Sequence, residues 1–419
     1  MRTLTPRDAH ALMNLLVKEA TGQDPTIQIV DTSTFVSAGE QVLATGVENT
    51  LNALSILVGR TLMAVRPYKA KFSLTDAKSD LYSTRLRKIS FYSKESLASG
   101  DWNTNLFTNF SDGYTNGKNA NPEGQAQSTA SMWEQHPSIP LEMNFSGQSV
   151  WQDCLTVYEH QLKVAFRSEA DFNSFVSAMM VQKGNEIESQ KEAFDRMAVL
   201  NFIGGLYDLN KGKTVVNLTA EYNAEFGTTY TSAELRTTYL KEFLAFFVEK
   251  FKLASDYLTN RSNMYHWSPA KNVGGVDYTI LRHTPKDRQK AYLYNPLFVK
   301  AEAQVLPQIF HDNYLKVDNA EMVGYWQNIN EPSKVNVTPA IPNTTDPNAG
   351  QVAGNNVSLD YVVGIIFDTD ALMTMFQLEE VDTTVKEARK HYRNIWYSFS
   401  KNAVNDFTEN AVLFIMKDN

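Results

Sequence analysis

The side chains of this 419-residue chain that could do chemistry lack the spacings that catalysis or metal binding requires. The seven histidines form no H-E-x-x-H or H-x-H pattern, and the single cysteine, Cys154, allows neither a disulfide nor a thiolate cluster. No G-x-S-x-G, G-x-x-x-x-G-K-S/T or G-x-G-x-x-G sequence occurs. These absences predict that the protein is not an enzyme and uses no catalytic residue, cofactor or metal.

Two charged groups are the remaining candidates for a site. Asp368 and Asp370 could bind Ca²⁺ or begin a helix, and the helix start is favoured because acidic residues stabilise helix N-termini. Arg85, Arg87 and Lys88 form the densest basic cluster, on a predicted strand. These three residues are candidate inter-subunit contacts with acidic side chains of a neighbouring subunit. The alternative, a charged strand edge that prevents aggregation, stays open.

The longest predicted element is a helix from Ser168 to Gly205. Ser168 and Asp171 have the spacing of a capping box, and apolar residues then recur at helical spacing. At about 1.5 Å per residue, the helix spans roughly 50 Å. Its charged middle, around Gly184, predicts that it crosses exposed surface there, and Gly204-Gly205 predicts its end.

The residues before this helix predict elements without a core of their own. Residues 1–60 contain two capped helical patterns joined by a polar link. Residues 61–167 contain strand patterns, among them Arg85–Tyr92 and a final strand over Leu162–Phe166. The apolar-poor stretch 99–131 lies between them and predicts a floppy tip. A two-stranded arm of this kind needs another chain to cover it.

The residues after the helix predict a second compact α/β lobe. Thr231–Glu234 is a capping box whose helix is predicted to run through Tyr257, and Asn295-Pro296 begins a shorter helix. Residues 329–358 predict a surface loop or ragged hairpin. Tyr361–Phe367 is a continuous apolar run typical of a central strand, and a helical turn is predicted to follow it. Ala411–Met416 predicts a closing strand.

Composition narrows the class of protein further. A net charge of −8 disfavours a nucleic-acid-binding surface as the main role. No apolar run approaches the ~20 residues that cross a bilayer, and the N-terminus lacks a signal-peptide pattern. We therefore expect a protein that is made or assembled in the cytosol, with no membrane partner.

The order of these parts resembles the major capsid proteins of tailed phages, the Hong Kong 97-type fold, and is closest in texture to small podophages of the phi twenty-nine type. Phe172–Val181 after Leu162–Phe166 is similar to their strand-into-spine junction. GIIFDTDALMTMFQLEEV and HYRNIWYSFSKNAVNDFTENAVLFI resemble their return from the axial to the peripheral domain. The resemblance implies an α+β chain with an N-terminal arm (1–60), an extended β-hairpin loop with flanking peripheral-domain strands (61–167), a spine helix of the peripheral domain (168–210), an axial domain (211–380) carrying the long surface loop 329–358, and C-terminal strands returning to the peripheral domain (381–419).

The function that the resemblance implies is structural. Copies of the chain would self-assemble into hexamers and pentamers of an icosahedral or prolate phage head. That head would enclose double-stranded DNA without sequence-specific contact, as part of the virion and assembled in the host cytoplasm. The short N-terminal arm implies a separate scaffolding protein, and a portal protein and a decoration or head-fibre protein are further expected partners. We expect no Lys–Asn cross-link. An encapsulin-like nanocompartment shell protein, or a cytosolic α/β enzyme or binding protein, stays an alternative.

Overall fold

The computed structural model of the chain describes residue 18 and residues 71–76, 85–94, 139–146, 149–158, 169–269, 271–273, 276–304, 320–346 and 350–418. In these residues helices and sheets are mixed, which confirms the α+β class. The helices are α1 (Glu169–Leu209), α2 (Leu218–Phe226), α3 (Ser232–Leu235), α4 (Leu240–Thr259) and α5 (Asn295–Gln304).

The strands of the described residues form several small sheets and one central sheet. In chain order they are β1 (Arg85–Phe91), β2 (Ser93–Lys94), β3 (Pro140–Ser146), β4 (Ser149–Tyr158), β5 (Val215–Asn217), β6 (Lys271–Val273), β7 (Val276–Thr279), β8 (Gln289–Tyr294), β9 (Ala320–Val323), β10 (Val335–Val337), β11 (Ala340–Pro342), β12 (Gln351–Ala353), β13 (Val357–Leu359), β14 (Val362–Asp368), β15 (Leu372–Thr383), β16 (Tyr392–Asn405) and β17 (Ala411–Ile415). Two 3₁₀ turns, Ser73–Thr75 and Lys286–Arg288, complete the set.

Several sequence predictions lie outside the described residues. These are the helices of the arm 1–60, the tip 99–131, the strand over Leu162–Phe166 and the Ser168 cap of the long helix. The proposed division of the chain at residues 60, 167, 210 and 380 stays a prediction.

The core lies around a five-stranded sheet of order β5-β17-β14-β8-β9. Its central strand β14 is buried along its whole length, as its continuous apolar sequence predicts. The burial is complete because helices cover both faces. Phe202 of α1 packs edge-on against Phe367, and Phe247 of α4 packs against Phe414 of β17 on the other face. The predicted closing strand is confirmed as β17, which lies inside this sheet between β5 and β14.

A second sheet, of order β15-β16-β4, lies against the middle of α1, with contacts from Lys183 to Ala198. Its inner face carries Val157, Ile395 and Tyr397, all buried. The middle of the long helix is exposed on one side, as expected, at Gln182, Asn185 and Glu186, but this sheet covers its other side. Lys183 is fully buried there, and its ammonium pairs with Asp153 of β4 and lies 5.6 Å from the centroid of the Tyr397 ring.

The long helix also ends later than its sequence predicts. Gly204 and Gly205 lie inside α1, which continues to Leu209. A Cβ atom on Gly205 would lie 2.3 Å from Cζ of Phe407, so this glycine allows close packing and does not end the helix. Met197, one of the apolar residues of this helix, is 56% exposed. A glycine pair in the sequence therefore does not show by itself whether a helix ends there or packs closely against another side chain.

The helix predicted from Thr231 to Tyr257 is broken in two. Its capping box is confirmed, because the Thr231 hydroxyl accepts from Glu234 N–H and the Glu234 carboxylate accepts from Thr231 N–H. However, α3 ends at Leu235 and α4 begins at Leu240. The Thr237 hydroxyl donates to the backbone carbonyl of Ala233, a local bond that competes with helix continuation. The region 329–358 forms the short ladders β10-β13 and β11-β12, as the ragged-hairpin prediction states.

Candidate assembly surface

The predicted basic cluster lies on β1, which pairs with β3 in a two-stranded ladder. The strands are antiparallel, with Lys88 opposite Met143 and Arg87 opposite Asn144. Because side chains alternate along a strand, neighbouring residues of this ladder point to opposite faces. One face contacts the body of the subunit and the other is open to solvent, so we name them the inner face and the outer face of the hairpin.

The inner face is fastened by charge. The Lys88 ammonium lies 2.5 Å from Asp406 and 2.6 Å from Glu409, and both carboxylates are almost fully buried. Arg282 adds a second cation 3.3 Å from Glu409. It also donates a hydrogen bond of 2.7 Å to the Ser90 hydroxyl. Two cations thus balance two carboxylates where the hairpin meets the segment between β16 and β17.

This network shifts the protonation equilibria of its members. Burial alone lowers the pKa of Lys88, but Asp406 and Glu409 outweigh it and the net pKa is raised. Burial raises the pKa of Glu409, against the opposing effect of Lys88 and Arg282. Lys88 therefore stays charged at neutral pH and is satisfied within its own chain.

The outer face combines apolar and polar side chains. Ile89 is 52% exposed and Phe91 is 58% exposed, so both present large apolar surfaces to solvent. Between the two strands, Arg87 donates a 2.7 Å hydrogen bond to Glu142, which also accepts from Asn144. An exposed apolar pair with a polar border is typical of a surface that another protein covers.

The three predicted contact residues thus have different surroundings. Arg87 lies on the outer face, whereas Lys88 lies on the inner face and is bound inside the subunit. Arg85 is the first residue of β1 and pairs with Ser146 in the ladder; its side chain is outside the described part. Sequence reasoning missed Ile89 and Phe91, because the alternation alone did not show which face of the strand is buried.

A second exposed face belongs to the sheet β15-β16-β4. Its outer side carries Val150 and Tyr158 of β4 and Trp396 of β16, which are exposed large apolar residues. Tyr158 packs against Tyr392, with ring centroids 5.9 Å apart. Ile395, Tyr397 and Phe399 alternate along β16 and are buried on its inner side, whereas Trp396 lies between them on the outer side.

The carboxylates Asp368 and Asp370 bind within the chain. They follow β14 in a turn in which Asp370 N–H donates to Asp368, and Arg288 forms ion pairs with both. The predicted turn is present, because Ala371 N–H donates to the Asp368 carbonyl, but it is a single turn before β15 and does not begin a helix. Among the described residues, no group of three or more His, Cys, Asp or Glu residues is arranged to hold a metal ion.

Other polar groups have structural explanations. His266 is buried between Asn410 and the carbonyl of Ile280, and burial lowers its pKa. A polar cavity of about 350 Å³ is open to solvent, with a lining of Gln327, Asn328, Glu331, Lys334 and Asn336. None of the described helices is both long and apolar enough to cross a membrane.

Comparison with known proteins places this architecture in a class. The family model of the Phi29-like phage major capsid protein matches residues 153–415, which is more than half of the chain. The matched residues include α1, the five-stranded sheet, most of the sheet β15-β16-β4 and the segment that holds Lys88. The class defined here is that of phage shell subunits. The chain belongs to the family of Phi29-like phage major capsid proteins.

Solved capsid structures share its overall form at low identity. A chain from the capsid structure of Staphylococcus phage Andhra has a TM-score of 0.49 and 10% identity, covering 83% of this chain and 84% of that chain. A chain from the structure of the head fiber and inner core protein gp22 of bacteriophage P68 has a TM-score of 0.46 and 12% identity, covering 83% and 85%. A chain from the capsid structure of the cyanophage P-SCSP1u has a TM-score of 0.40 and 10% identity, covering 85% of this chain and 90% of that chain.

Because these TM-scores lie below 0.5, the family match carries the assignment. No curated protein sequence is significantly similar to the chain. Of the parts that the resemblance implies, the described residues contain a long helix and a two-stranded antiparallel ladder, together with five further sheets. As a major capsid protein, the chain is a structural subunit of the virion that assembles with copies of itself.

Proposed function

We propose that the chain forms hexamers and pentamers of an icosahedral or prolate head around double-stranded DNA, and that it catalyses no reaction. Assembly takes place in the host cytoplasm on a separate scaffolding protein, with a portal protein at one vertex. A decoration or head-fibre protein is a further partner. The observation that carries the proposal is the outer face of the hairpin, on which Ile89 and Phe91 are exposed although the inner face is firmly held.

The outer face is proposed to contact a neighbouring subunit. Ile89 and Phe91 are each about half exposed, so covering the rest of each side chain contributes about 1 kcal/mol or slightly more. Arg87 adds a charge that is paired to Glu142 within the hairpin and that an acidic neighbour could share. Arg85 is proposed to act with Arg87, whereas Lys88 contributes by holding the hairpin in place. This contact would explain why the outer face of β1 carries both a basic side chain and two apolar ones.

The bound DNA is proposed to be enclosed without sequence-specific recognition. Net charge is −8, and affinity for phosphate requires clustered Lys and Arg that release counterions. A weakly attracting shell lets the genome move during packaging. This part of the proposal depends on the family assignment and the charge, because the hairpin itself carries too few cations for a phosphate surface.

The experiment changes the outer face without changing the fold. Ile89→Asp with Phe91→Asp replaces two exposed side chains, so we expect the free energy of unfolding to change by less than about 1 kcal/mol. Assembly in the presence of a candidate scaffolding protein should be lost, as seen by electron microscopy. Ile89→Val is the matched control and should assemble normally. Full assembly of the double variant would contradict the proposed contact.

A further inference from the structure

Residues 384–391 join β15 to β16, and we call them the basic turn. Their sequence is TVKEARKH, in which three cations, Lys386, Arg389 and Lys390, accompany one carboxylate, Glu387. All three cations are exposed. No described residue forms an ion pair or a hydrogen bond with the side chain of Arg389 or Lys390. The basic turn therefore presents positive charge that the described part of the subunit does not use.

Backbone hydrogen bonds hold the basic turn in a defined shape. Glu387 N–H donates to the Tyr392 carbonyl at 3.0 Å, and His391 N–H donates to the Glu387 carbonyl at 2.9 Å. The Glu387 carboxylate accepts from the backbone N–H of Lys390, so the one carboxylate of the turn has a role within it. At the base, the buried Arg393 donates to the Thr384 carbonyl at 3.2 Å. A partner would thus meet a preformed loop, which lowers the entropic cost of binding.

The basic turn differs from its surroundings in the sign of its charge. The whole chain has a net charge of −8. Before the turn, Glu380 and Asp382 are exposed on β15. These carboxylates would repel a polyanion, so a contact with one is confined to the turn and involves about three anionic groups.

The composition of the turn indicates the chemistry of its partner. Val385, which is 80% exposed, is its only large apolar side chain. A protein partner would need an apolar centre with a polar rim, and one valine does not supply it. Lys and Arg bind phosphate without apolar contacts, and a two-stranded ribbon of the kind that ends in this turn fits the major groove of DNA. The observations therefore favour the phosphates of duplex DNA over an acidic protein surface.

We propose that the basic turn binds the phosphate backbone of the enclosed double-stranded DNA through Lys386, Arg389 and Lys390. The inference rests on the proposed function, which supplies the DNA, and adds a contact site on each subunit. Phosphate contacts carry no sequence information, so enclosure remains non-specific. With so few contacts, the Kd of one subunit at physiological salt is roughly 10⁻⁴ M or weaker, and the genome can still move during packaging.

The test is binding of the unassembled full chain to a short DNA duplex, measured by fluorescence anisotropy over a range of salt concentrations. About three phosphate contacts give a slope of roughly −2.7 in log affinity against log salt concentration. Affinity should therefore fall about fortyfold from about 50 mM to about 200 mM salt. Undetectable binding at the lower salt concentration would overturn the proposal.

Matched variants locate the contact on the chain. Arg389→Gln with Lys390→Gln removes two cations and keeps the backbone bonds of the turn. Its slope should be about −0.9, so the same change in salt should lower affinity only about three- to fourfold. The control, Lys241→Gln with Lys286→Gln, removes two exposed lysines outside the turn and should bind like the unchanged chain. An unchanged slope in the turn variant, or an equal loss in the control, would overturn the proposal.

Polyglutamate separates DNA from an acidic protein partner. An extended chain carries one carboxylate per about 3.4 Å, whereas the duplex carries one charge per about 1.7 Å. Polyglutamate at equal charge concentration should therefore compete poorly with DNA, and equal competition would overturn the DNA assignment. Because binding is measured on the unassembled chain, its absence would leave the shell function standing. The turn variant should still assemble with the scaffolding protein.

Discussion

Lys88 and Asp406 are separated by 318 positions in the chain, yet the ammonium of one lies 2.5 Å from the carboxylate of the other. This pair fastens the hairpin to the segment between β16 and β17, and Glu409 and Arg282 complete the charge balance. The inner face of the hairpin is therefore held by ion pairs, while its apolar residues Ile89 and Phe91 remain free for another subunit. Because its inner face is charged and its outer face is apolar, one short ladder can be attached to its own subunit and still offer a contact surface to another.

Replacing Lys88 should destabilise the subunit strongly. Lys88→Met leaves Asp406 without a cation and Glu409 with Arg282 alone, at a site that is mostly buried, and breaking such a pair costs about 2–4 kcal/mol. Chemical denaturation at neutral pH measures this change.

The matched control is the next residue on the same strand. Arg87→Met removes an exposed partner of Glu142, and exposed ion pairs contribute at most about 1 kcal/mol. Equal effects of the two substitutions would show that the inner face is not held by charge.

The stability of the subunit should depend on Asp195 in a defined direction. Its pKa is raised to about 7 in the folded chain, so the unfolded chain ionises first as pH rises from its ordinary value of 3.8. Stability contributed by this group therefore falls through that window and is constant above it. Between about pH 5 and about pH 8, Asp195→Asn should gain about 2–3 kcal/mol over the unchanged chain.

Thermal or denaturant unfolding of both chains across this pH range measures the difference. Asp256→Asn is the control, since Asp256 is exposed and its surface ion pair with Lys286 contributes at most about 1 kcal/mol. A constant difference between Asp195→Asn and the unchanged chain at all pH values would contradict the assigned pKa.

Gly205→Ala tests close packing against helix propensity. Alanine is favoured over glycine in a helix by about 1 kcal/mol. The added Cβ, however, would lie 2.3 Å from the Phe407 ring, which is buried and stacked on Phe202 at 5.2 Å. We expect overpacking to prevail, with a net loss of about 1–3 kcal/mol.

Gly324 is the matched position for this substitution. A Cβ there meets no atom within 4 Å, so Gly324→Ala should be neutral or slightly stabilising. The melting temperatures of the two variants, compared with that of the unchanged chain, test this prediction. A stabilised Gly205→Ala would mean that Phe407 moves aside easily and that the helix approaches it less closely than described.

The local elements of the fold were largely accessible from the sequence. The strand Arg85–Phe91, the long helix, the Thr231 capping box and the buried strand β14 each have a periodicity or cap that a single segment carries. The errors arose where distant residues decide. Gly204-Gly205 signals a helix end locally, but Phe407 makes it a packing site. The charged middle of α1 signals exposure locally, but Asp153 on β4 pairs with Lys183 and buries it.

The candidate site was accessible only in part. The basic cluster on β1 was found because three cations lie close together in sequence. Its separation into two faces depends on Asp406 and Glu409, which lie more than 300 positions away, as the 318-residue separation of Lys88 and Asp406 shows. Asp195 carries no sequence signal at all. Its raised pKa results mainly from burial, which depends on residues distant in the chain.

The central claim is that the chain is the building unit of a phage shell, and its most direct test is assembly. Sedimentation velocity and electron microscopy of the full chain, with and without a candidate scaffolding protein, measure it. We predict closed shells or capsomer rings in the sample that contains the scaffolding protein. Folded monomers in both samples, at concentrations where the scaffolding protein is demonstrably active, would contradict the account.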